Sequence, residues 1–428
     1  MSPVPGAPRT LTAPEPVLRG EYLDEVLRLL YPDPCVAGPA HLVPPGRTVA
    51  RFIVVPDLAR ARLLVPAGSA RLAAAAVARY GRPQTRPARL RRDLAVLALR
   101  GRLDRLLLRD RLAVGRPGLA TPVDTIDAHL RATLHRGLAV CVHIGPVRAN
   151  RKPVLQLVSP TGDTFGYAKL GHTPLTARLV RQEASALAAL ERLAPREVAV
   201  PRILHSGTWL GHQLLVQTAL PGYRAQPVAP PLLARAMREI AYGLGVDGCG
   251  LAGSRYWRDL RERLESLRDA ATGPDAGGDA GGDAHALTYA ADLLVARYGA
   301  TELRLGSWHG DWAPWNMAGA PTRVMVWDWE RFATGVPVGF DALHHELNRR
   351  LADGTDATDA VRATLSRAGA LLAPFEVAGP DAVRATALLY LVDLAARYLH
   401  DRQAQAGARL GVLGTWLLPV LLSEVDTA

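Results

Sequence analysis

The residues best suited to chemistry lie in one short stretch late in the chain. Residues 308–316 read W-H-G-D-W-A-P-W-N, and the triplet D-W-E begins at Asp328 after a short apolar strand. Transfer of a phosphoryl group needs a carboxylate near the attacking hydroxyl, and oxygen ligands that hold magnesium against phosphates. Asp311 can take the first role, while Asn316 and Asp328 can supply ligands from two neighbouring loops. This spacing predicts a magnesium-dependent phosphotransfer site.

A second candidate pair is Lys169, at the end of a predicted strand, and Glu183 in the helix that follows. Kinases pair such a lysine with a helix glutamate so that the ammonium is held against nucleotide phosphates. Lys152 and Lys169 are the only lysines of the chain, so a lysine at this place is informative. The alternative is a solvated salt bridge worth less than about 1 kcal/mol. Glu191 could replace Glu183 as the partner, although its position is less suitable.

The segment before that strand is a candidate phosphate-covering loop. Residues 143–152 read H-I-G-P-V-R-A-N-R-K, with one glycine where protein kinases have the pattern G-x-G-x-x-G. Arg148, Arg151 and Lys152 could compensate by offering charged donors to phosphate. They could equally solvate the tip of a hairpin.

Together these motifs resemble the aminoglycoside phosphotransferase and choline kinase family, whose catalytic loop reads H-G-D-x-x-x-x-N and whose metal-binding aspartate follows a short apolar strand. The resemblance implies that Asp311 is the catalytic base and that Asn316 and Asp328 bind Mg²⁺. It also implies ATP as the donor and a small-molecule hydroxyl as the acceptor. The alternative is that His309, Asp311 and Asn316 form a hydrogen-bonded turn and that Asp328 is a surface carboxylate.

Three further roles follow from the same resemblance. Residues 212–222 resemble the segment that links the two lobes, where the backbone of Gln217, Thr218 and Ala219 would meet the adenine edge; the alternative is an ordinary edge strand and turn. Asp341 resembles a later aspartate that supports the catalytic loop, and we treat it as structural. We also expect His309 to orient the loop rather than to carry a proton.

The elements that must position these residues follow from periodicity and turn chemistry. Apolar runs separated by glycine and proline turns predict a sheet of five strands, with one helix at 175–193 after the third strand. The predicted strands lie at 138–144, 154–158, 165–170, 202–205 and 213–218. Beyond residue 230 helical patterns predominate, and the Gly/Asp/Ala-rich segment 273–284 predicts a flexible loop.

The expected fold class is α+β. We expect a bilobal protein kinase-like fold, with a small antiparallel sheet plus a helix in one lobe, a larger and mainly helical second lobe, and an N-terminal accessory α/β unit. The predicted borders are a flexible N-terminus at 1–20, the accessory unit at 21–125, the N-lobe at 126–222 and the C-lobe at 223–428. A chain of 428 residues exceeds the usual size of one hydrophobic core, which agrees with several units.

The accessory unit is predicted to contain a helix at 22–31, a strand pair at 51–55 and 62–65, and a helix at 69–80. Between Arg79 and Arg116 the chain has twelve arginines against three aspartates, a net charge of +9. Six leucines share helical spacing there, which predicts helices with one apolar and one cationic face: Leu94, Leu97, Leu99, Leu103, Leu106 and Leu107.

This charge suggests an anionic partner between Arg79 and Arg116, such as a sugar phosphate, a glycan intermediate or a lipid surface. A nucleic acid is disfavoured because the stretch lacks interleaved aromatic residues apart from Tyr80 and matches no known reader motif. Cationic aminoglycosides would need acidic walls, so the charge gives no support to antibiotic resistance. The remaining alternative is a catalytically silent kinase fold that senses nucleotides or acts as a scaffold. Such a fold usually lacks the lysine, the base or a metal ligand, and here all are present.

Composition limits the remaining classes. Cys35, Cys141 and Cys249 are widely spaced and form no metal-binding motif, so we expect buried thiols. The N-terminus lacks the pattern of a secretory signal. The late apolar stretch at 410–422 is too short to span a bilayer. These features predict a cytoplasmic protein without a transmembrane segment.

Overall fold

The structure is a computed structural model that describes residues 15–44, 47–80, 86–116, 123–145, 149–221, 228–271, 278–401 and 413–426. The chain divides into two compact units, residues 1–169 and residues 170–428. Both contain helices and antiparallel strands, so the predicted α+β class is confirmed. The finer division at residues 125 and 222 stays a prediction.

The first unit contains five helices and a run of antiparallel strands among its described residues. The helices are α1 Glu15–Leu30, α2 Ala70–Arg79, α3 Arg86–Arg100, α4 Asp104–Leu107 and α5 Ile126–Leu134. The strands are β1 Val36–Pro39, β2 Thr48–Val55, β3 Leu63–Pro66, β4 Arg111–Gly115, β5 Ala139–His143, β6 Val154–Val158 and β7 Thr164–Gly171. Their order in the sheet is β1-β4-β2-β3-β5-β6-β7.

The predicted accessory strands and the predicted meander at 138–170 are joined in one sheet. Strand β3 pairs with β5, with Leu63 opposite His143 and Leu64 opposite Val142. The sequence patterns identified β3 and β5 as strands. They gave no sign that the two pair, because the paired residues lie about eighty positions apart in the chain. The first unit is therefore built around a continuous sheet and not around a separate accessory sheet.

The leucines of the arginine-rich stretch differ from the prediction of one buried apolar face. On α3, Leu99 is buried together with Val96, whereas Leu94 and Leu97 are exposed. Helical residues advance by about 100° each, so Leu97 and Leu99 lie about 200° apart, and only one of them can contact α2 and the sheet. The three predicted leucines beyond α3 are also exposed, namely Leu103, Leu106 and Leu107.

The second unit is mainly helical. Its helices are α6 Pro174–Leu193, α7 Pro230–Gly243, α8 Arg255–Ala271, α9 Gly278–Tyr298, α10 Phe340–Ala352, α11 Ala357–Ser366, α12 Ala368–Leu372, α13 Pro380–His400 and α14 Leu418–Asp426. Its strands are β8 Val198–Ala199, β9 Ile203–Trp209, β10 His212–Thr218, β11 Asp247–Gly250, β12 Glu302–Trp308, β13 Met317–Gly319, β14 Val324–Val326 and β15 Ala333–Pro337. The last five form two short sheets, β11-β12-β15 and β13-β14 with β8. None of the described helices is long and apolar enough to cross a lipid bilayer.

The predicted loop at 273–284 is wrong in its second half. Residues 272–277 lie outside the described residues, but α9 begins at Gly278 and continues through the glycine-rich run. Ala284 is buried, so packing against the rest of the unit favours helix over the intrinsic tendency of this composition.

Helix α6 presents Glu183 on its buried face. The helix starts with a capping box, in which the Thr173 side chain accepts from the backbone N–H of Thr176 and the Thr176 side chain accepts from the N–H of Thr173. Pro174 follows at the first helical position, where its missing N–H costs nothing. With this start fixed, Glu183 shares the inward face with Leu179 and Leu187.

Candidate active site

The loop that contains Asp311 is held at its start by Asp341. Strand β12 ends at Trp308, and the Asp341 carboxylate, in the first turn of α10, accepts hydrogen bonds from the backbone N–H groups of His309 at 2.7 Å and Gly310 at 3.1 Å. Burial raises the pKa of Asp341 to about 7, and the two backbone donors oppose that rise. The structural role predicted for Asp341 is confirmed.

His309 connects this loop to the one that contains Asp328. Its Nδ1 accepts from the backbone N–H of Asp311 at 3.0 Å, so the ring proton lies on Nε2, which donates to the Trp327 carbonyl at 3.1 Å. Burial lowers the pKa of His309 to about 4, which keeps the ring neutral. The predicted orienting role of His309 is confirmed.

The backbone of Trp327, the residue before Asp328, is hydrogen-bonded through both its carbonyl and its N–H. While its carbonyl accepts from His309, the N–H of Trp327 donates to the carbonyl of Asn316 at 3.1 Å. Asp328 itself has φ 73° and ψ 51°, a left-handed conformation that is costly for a residue with a side chain. Such strain persists where surrounding bonds fix the backbone, as the two bonds at Trp327 do here.

Both carboxylate oxygens of Asp311 have fixed donors. The Asn316 amide donates through Nδ2 to Oδ2 of Asp311 and to the Asp311 carbonyl, each at 2.9 Å. Oδ1 lies 3.0 Å from Nε2 of His344. Because the amide nitrogen of Asn316 is used for Asp311, its Oδ1 is the atom that could bind a cation.

His344, on α10, is a residue of the site that the sequence did not reveal. Its Nε2 lies 3.0 Å from Asp311 Oδ1, and an ionised carboxylate can only accept, so Nε2 has the proton and donates it to Asp311. Its Nδ1 then accepts from the Tyr390 hydroxyl at 3.1 Å. Burial lowers the pKa of His344, although Asp311 opposes this. Burial alone would raise the pKa of Asp311, but the hydrogen bond from His344 and the positive charge of Arg397 hold it below its ordinary value. Asp311 therefore stays ionised at neutral pH.

An acidic cluster lies in the second unit beside this loop. Carboxylate oxygens of Glu183, Asp328 and Glu330 all lie within 4.8 Å of one another. Glu183 and Glu330 are buried, and Asp328 is half-buried. Three carboxylates this close repel unless protons or cations balance them, and hard oxygen ligands are those that Mg²⁺ prefers. The residues present therefore fit a magnesium site.

The cluster differs from the ligand set that the sequence suggested. Asp328 belongs to it as expected, and Asn316 is connected to the same loop through Trp327. Glu330 stands two residues after Asp328 in the same motif, and that short spacing is the signal that could have identified it. Glu183 was predicted as the partner of Lys169, and that pairing stays a prediction.

The other predicted nucleotide-binding residues have these positions. Lys169 is buried on β7, opposite Val154, on the third strand of the predicted meander. The Arg151 guanidinium lies 3.5 Å from the ring centre of Tyr22. Arg148 lies outside the described residues.

The predicted adenine-contacting segment ends β10. The N–H of Thr218 donates to the Arg202 carbonyl at 2.8 Å, and the Thr218 hydroxyl accepts from the Arg202 N–H at 2.9 Å. Gln217 is buried. Within the described part of the chain, the N–H of Ala219 has no hydrogen-bond partner. Of these three N–H groups, that of Ala219 is the one best suited to a base edge.

Gly310 stands at a position where the structure has no space for a side chain. Its φ is +83°, and a Cβ atom there would overlap the carbonyl oxygen of Arg331. Its own carbonyl accepts from Arg397, whose guanidinium also lies 5.6 Å from the Trp308 ring. The loop before Asp311 is thus packed against the backbone that follows the acidic cluster.

We expect Gly310→Ala to lower the free energy of unfolding by more than about 3 kcal/mol, because it adds a steric overlap to the cost of positive φ. Denaturant unfolding of the purified variant measures this. The matched control is Gly335→Ala, where φ is +71° but nothing lies within 4 Å of the added Cβ. The control should cost about 1 to 2 kcal/mol. Equal losses in the two variants would contradict the packing described here.

Comparisons with known proteins give structural similarities at low identity. A choline kinase, LicA, from Streptococcus pneumoniae is 12% identical over 64% of this chain and 90% of its own, with a TM-score of 0.41. An aminoglycoside phosphotransferase from Streptomyces rimosus, solved with ADP and streptomycin, is 17% identical over 57% and 90%, with a TM-score of 0.39. A thermostable mutant of another aminoglycoside phosphotransferase, solved with ADP and hygromycin B, is 13% identical over 71% and 97%, with a TM-score of 0.42. Neither protein-family models nor curated protein sequences match the chain.

Proposed function

We propose that this chain transfers the γ-phosphoryl group of ATP to a hydroxyl of a small molecule and requires Mg²⁺. The observation that carries the proposal is the arrangement of Asp311. One oxygen accepts from Asn316, the other faces His344, and the bonds of Trp327 connect this loop to the acidic cluster. Phosphoryl transfer to an alcohol requires an ionised carboxylate that accepts the hydroxyl proton, together with oxygen ligands that hold magnesium nearby.

In this proposal Asp311 orients the acceptor hydroxyl for in-line attack. It accepts the hydroxyl proton as the new bond to the γ-phosphorus forms, while the bond from that phosphorus to the bridging oxygen breaks and ADP leaves. The donors to Asp311 keep the carboxylate in one orientation, so little entropy is lost when the acceptor binds. Asp328, Glu330 and Asn316 would hold Mg²⁺, which supplies positive charge to the phosphate oxygens. We assign Lys169 and Arg151, with Arg148, to the nucleotide phosphates, and the backbone of residues 217–219 to the adenine.

Calorimetric titration with ATP, in the presence of Mg²⁺ and then of a chelator, tests the proposal at the level of binding. A panel of sugars, amino sugars, sugar phosphates and amino alcohols, with ADP release as the readout, tests transfer. We expect magnesium-dependent nucleotide binding and faster ADP release with one acceptor class. Absence of magnesium-dependent nucleotide binding would contradict the proposal whatever the acceptor.

We expect His344→Phe to move the acidic limb of the kcat/KM profile to higher pH. Asp311 must be ionised to act, and activity is lost as the pH falls through its pKa; His344 lowers that pKa, so removing its donor raises it. His344→Gln keeps an amide donor at a similar place and should shift the limb less. An unchanged acidic limb in the Phe variant would show that His344 has only a packing role.

A further inference from the structure

A large cavity opens in the first unit, and its lining shares no residue with the candidate active site. Its volume is about 1640 Å³, and it is lined by parts of β2, the start of α2, the segment 100–112 and α5. Small-molecule sites are usually about 300 to 1,000 Å³. The cavity therefore has room for an extended ligand or for more than one charged group.

The lining is strongly cationic. It contains eight arginines and only three aspartates, Asp104, Asp127 and Asp163. Each aspartate already has a partner in the unit. Asp104 pairs with Arg111, Asp127 accepts from the Tyr31 hydroxyl at 2.5 Å and pairs with Arg131 at 3.5 Å, and Asp163 accepts from Thr161 at 2.8 Å.

The other six arginines have no carboxylate partner among the described residues. They are Arg51, Arg71, Arg100, Arg102, Arg105 and Arg109. Arg71, Arg100, Arg102 and Arg105 also form no side-chain hydrogen bond within the described ranges. Several like charges around one concave surface repel one another and concentrate a positive electrostatic potential there. A bound anion would neutralise these charges and reduce their repulsion.

We propose that this cavity binds a ligand with at least two phosphate groups. Guanidinium groups match phosphate with paired hydrogen bonds, and the excess of five positive charges exceeds what one phosphate neutralises. A nucleobase has no stacking surface here, because Phe52 is the only aromatic residue of the lining and is buried. The ligand class is thus a non-nucleotide compound with several phosphates.

Phosphate can come from a soluble ester or from a lipid headgroup. The exposed leucines next to the cavity bear on this choice, since Leu103, Leu106 and Leu107 alternate with Arg102 and Arg105 along the chain. Exposed leucines among arginines are typical of surfaces that contact anionic membranes. Both sources share the same recognition chemistry in the cavity.

Calorimetric titration of the full-length chain with pyrophosphate, at low salt and with chelator present, tests the soluble source. We expect binding that Arg102→Gln/Arg105→Gln weakens at least about tenfold, since the double variant removes two charged hydrogen-bond donors to phosphate. The matched control is Arg62→Gln/Arg91→Gln, which removes the same charge at exposed arginines outside the cavity. The control should bind as the wild type does.

Co-sedimentation with vesicles tests the lipid source. Vesicles of phosphatidylcholine with a bisphosphorylated phosphoinositide are compared with phosphatidylcholine alone, for the same two double variants. Phosphoinositide-dependent sedimentation that only the cavity variant loses supports the proposal with a headgroup as the ligand. The proposal is overturned if both probes bind equally well to the cavity and control variants, or if neither probe binds the wild type.

Discussion

Asp311→Asn should lower kcat by about 100- to 10,000-fold while ADP affinity changes little. The replacement keeps the size of the side chain but removes the negative charge and the proton-accepting capacity. In Asp311 one carboxylate oxygen accepts a hydrogen bond from Asn316 and the other accepts one from His344. An asparagine side chain has a single oxygen, so one of these two donors loses its acceptor. Initial-rate measurements of ADP release, with calorimetric titration of ADP, give the two quantities separately.

The matched control is Asp353→Asn, an exposed aspartate at the end of α10 that pairs with Arg349. It should leave turnover and melting temperature unchanged, because an exposed pair contributes little. A variant of Asp311 that loses both turnover and ADP binding, and that melts at lower temperature, would mean a folding role for this carboxylate. Full turnover in a correctly folded variant would exclude Asp311 as the base.

Removing one carboxylate of the acidic cluster should weaken metal binding more than any other single change. We expect Asp328→Asn to abolish measurable turnover, and Glu330→Gln to raise the Mg²⁺ concentration for half-maximal activity by about tenfold or more. The physical reason is that both residues offer charged oxygens within 4.8 Å of each other, and an amide oxygen attracts a divalent cation less.

Direct binding of Mn²⁺, followed by electron paramagnetic resonance, separates this effect from catalysis. Manganese substitutes for magnesium at oxygen sites and its free form is readily measured. Glu262→Gln, on the exposed face of α8, is the matched control and should bind Mn²⁺ as the wild type does. Wild-type Mn²⁺ affinity in both cluster variants would place the metal elsewhere.

The geometry of the loop at 309–316 was predictable because its contacts are local. His309, Asp311 and Asn316 lie within eight residues, and their hydrogen bonds to one another follow from a turn whose spacing is visible in the sequence. The strands at 138–170 were predicted for a similar reason, since hairpin strands adjacent in the chain pair with one another. Asp341 is not local to the loop at 309–316, and it was identified only by its resemblance to a later aspartate of the family that supports the catalytic loop.

The contacts that the sequence did not reveal are long-range. His344 meets Asp311 because α10 packs beside the loop, and a histidine thirty-three positions away has no spacing signal. Glu183 meets Asp328 and Glu330 because α6 packs over the turn Trp329–Arg331, about 145 residues further along the chain. Strand β3 meets β5 for an equivalent reason. Periodicity shows which face of an element is buried, but not which element covers it.

The two backbone hydrogen bonds of Trp327 have a consequence for how the substrate range of such a protein can evolve. In the proposed function they tie the proposed base, Asp311, and the proposed metal ligand Asp328 into one small unit of backbone. Substitutions among surrounding helices can then alter which molecule is admitted without disturbing the machinery that reacts with it. Selectivity and reactivity become separable traits, each open to selection on its own.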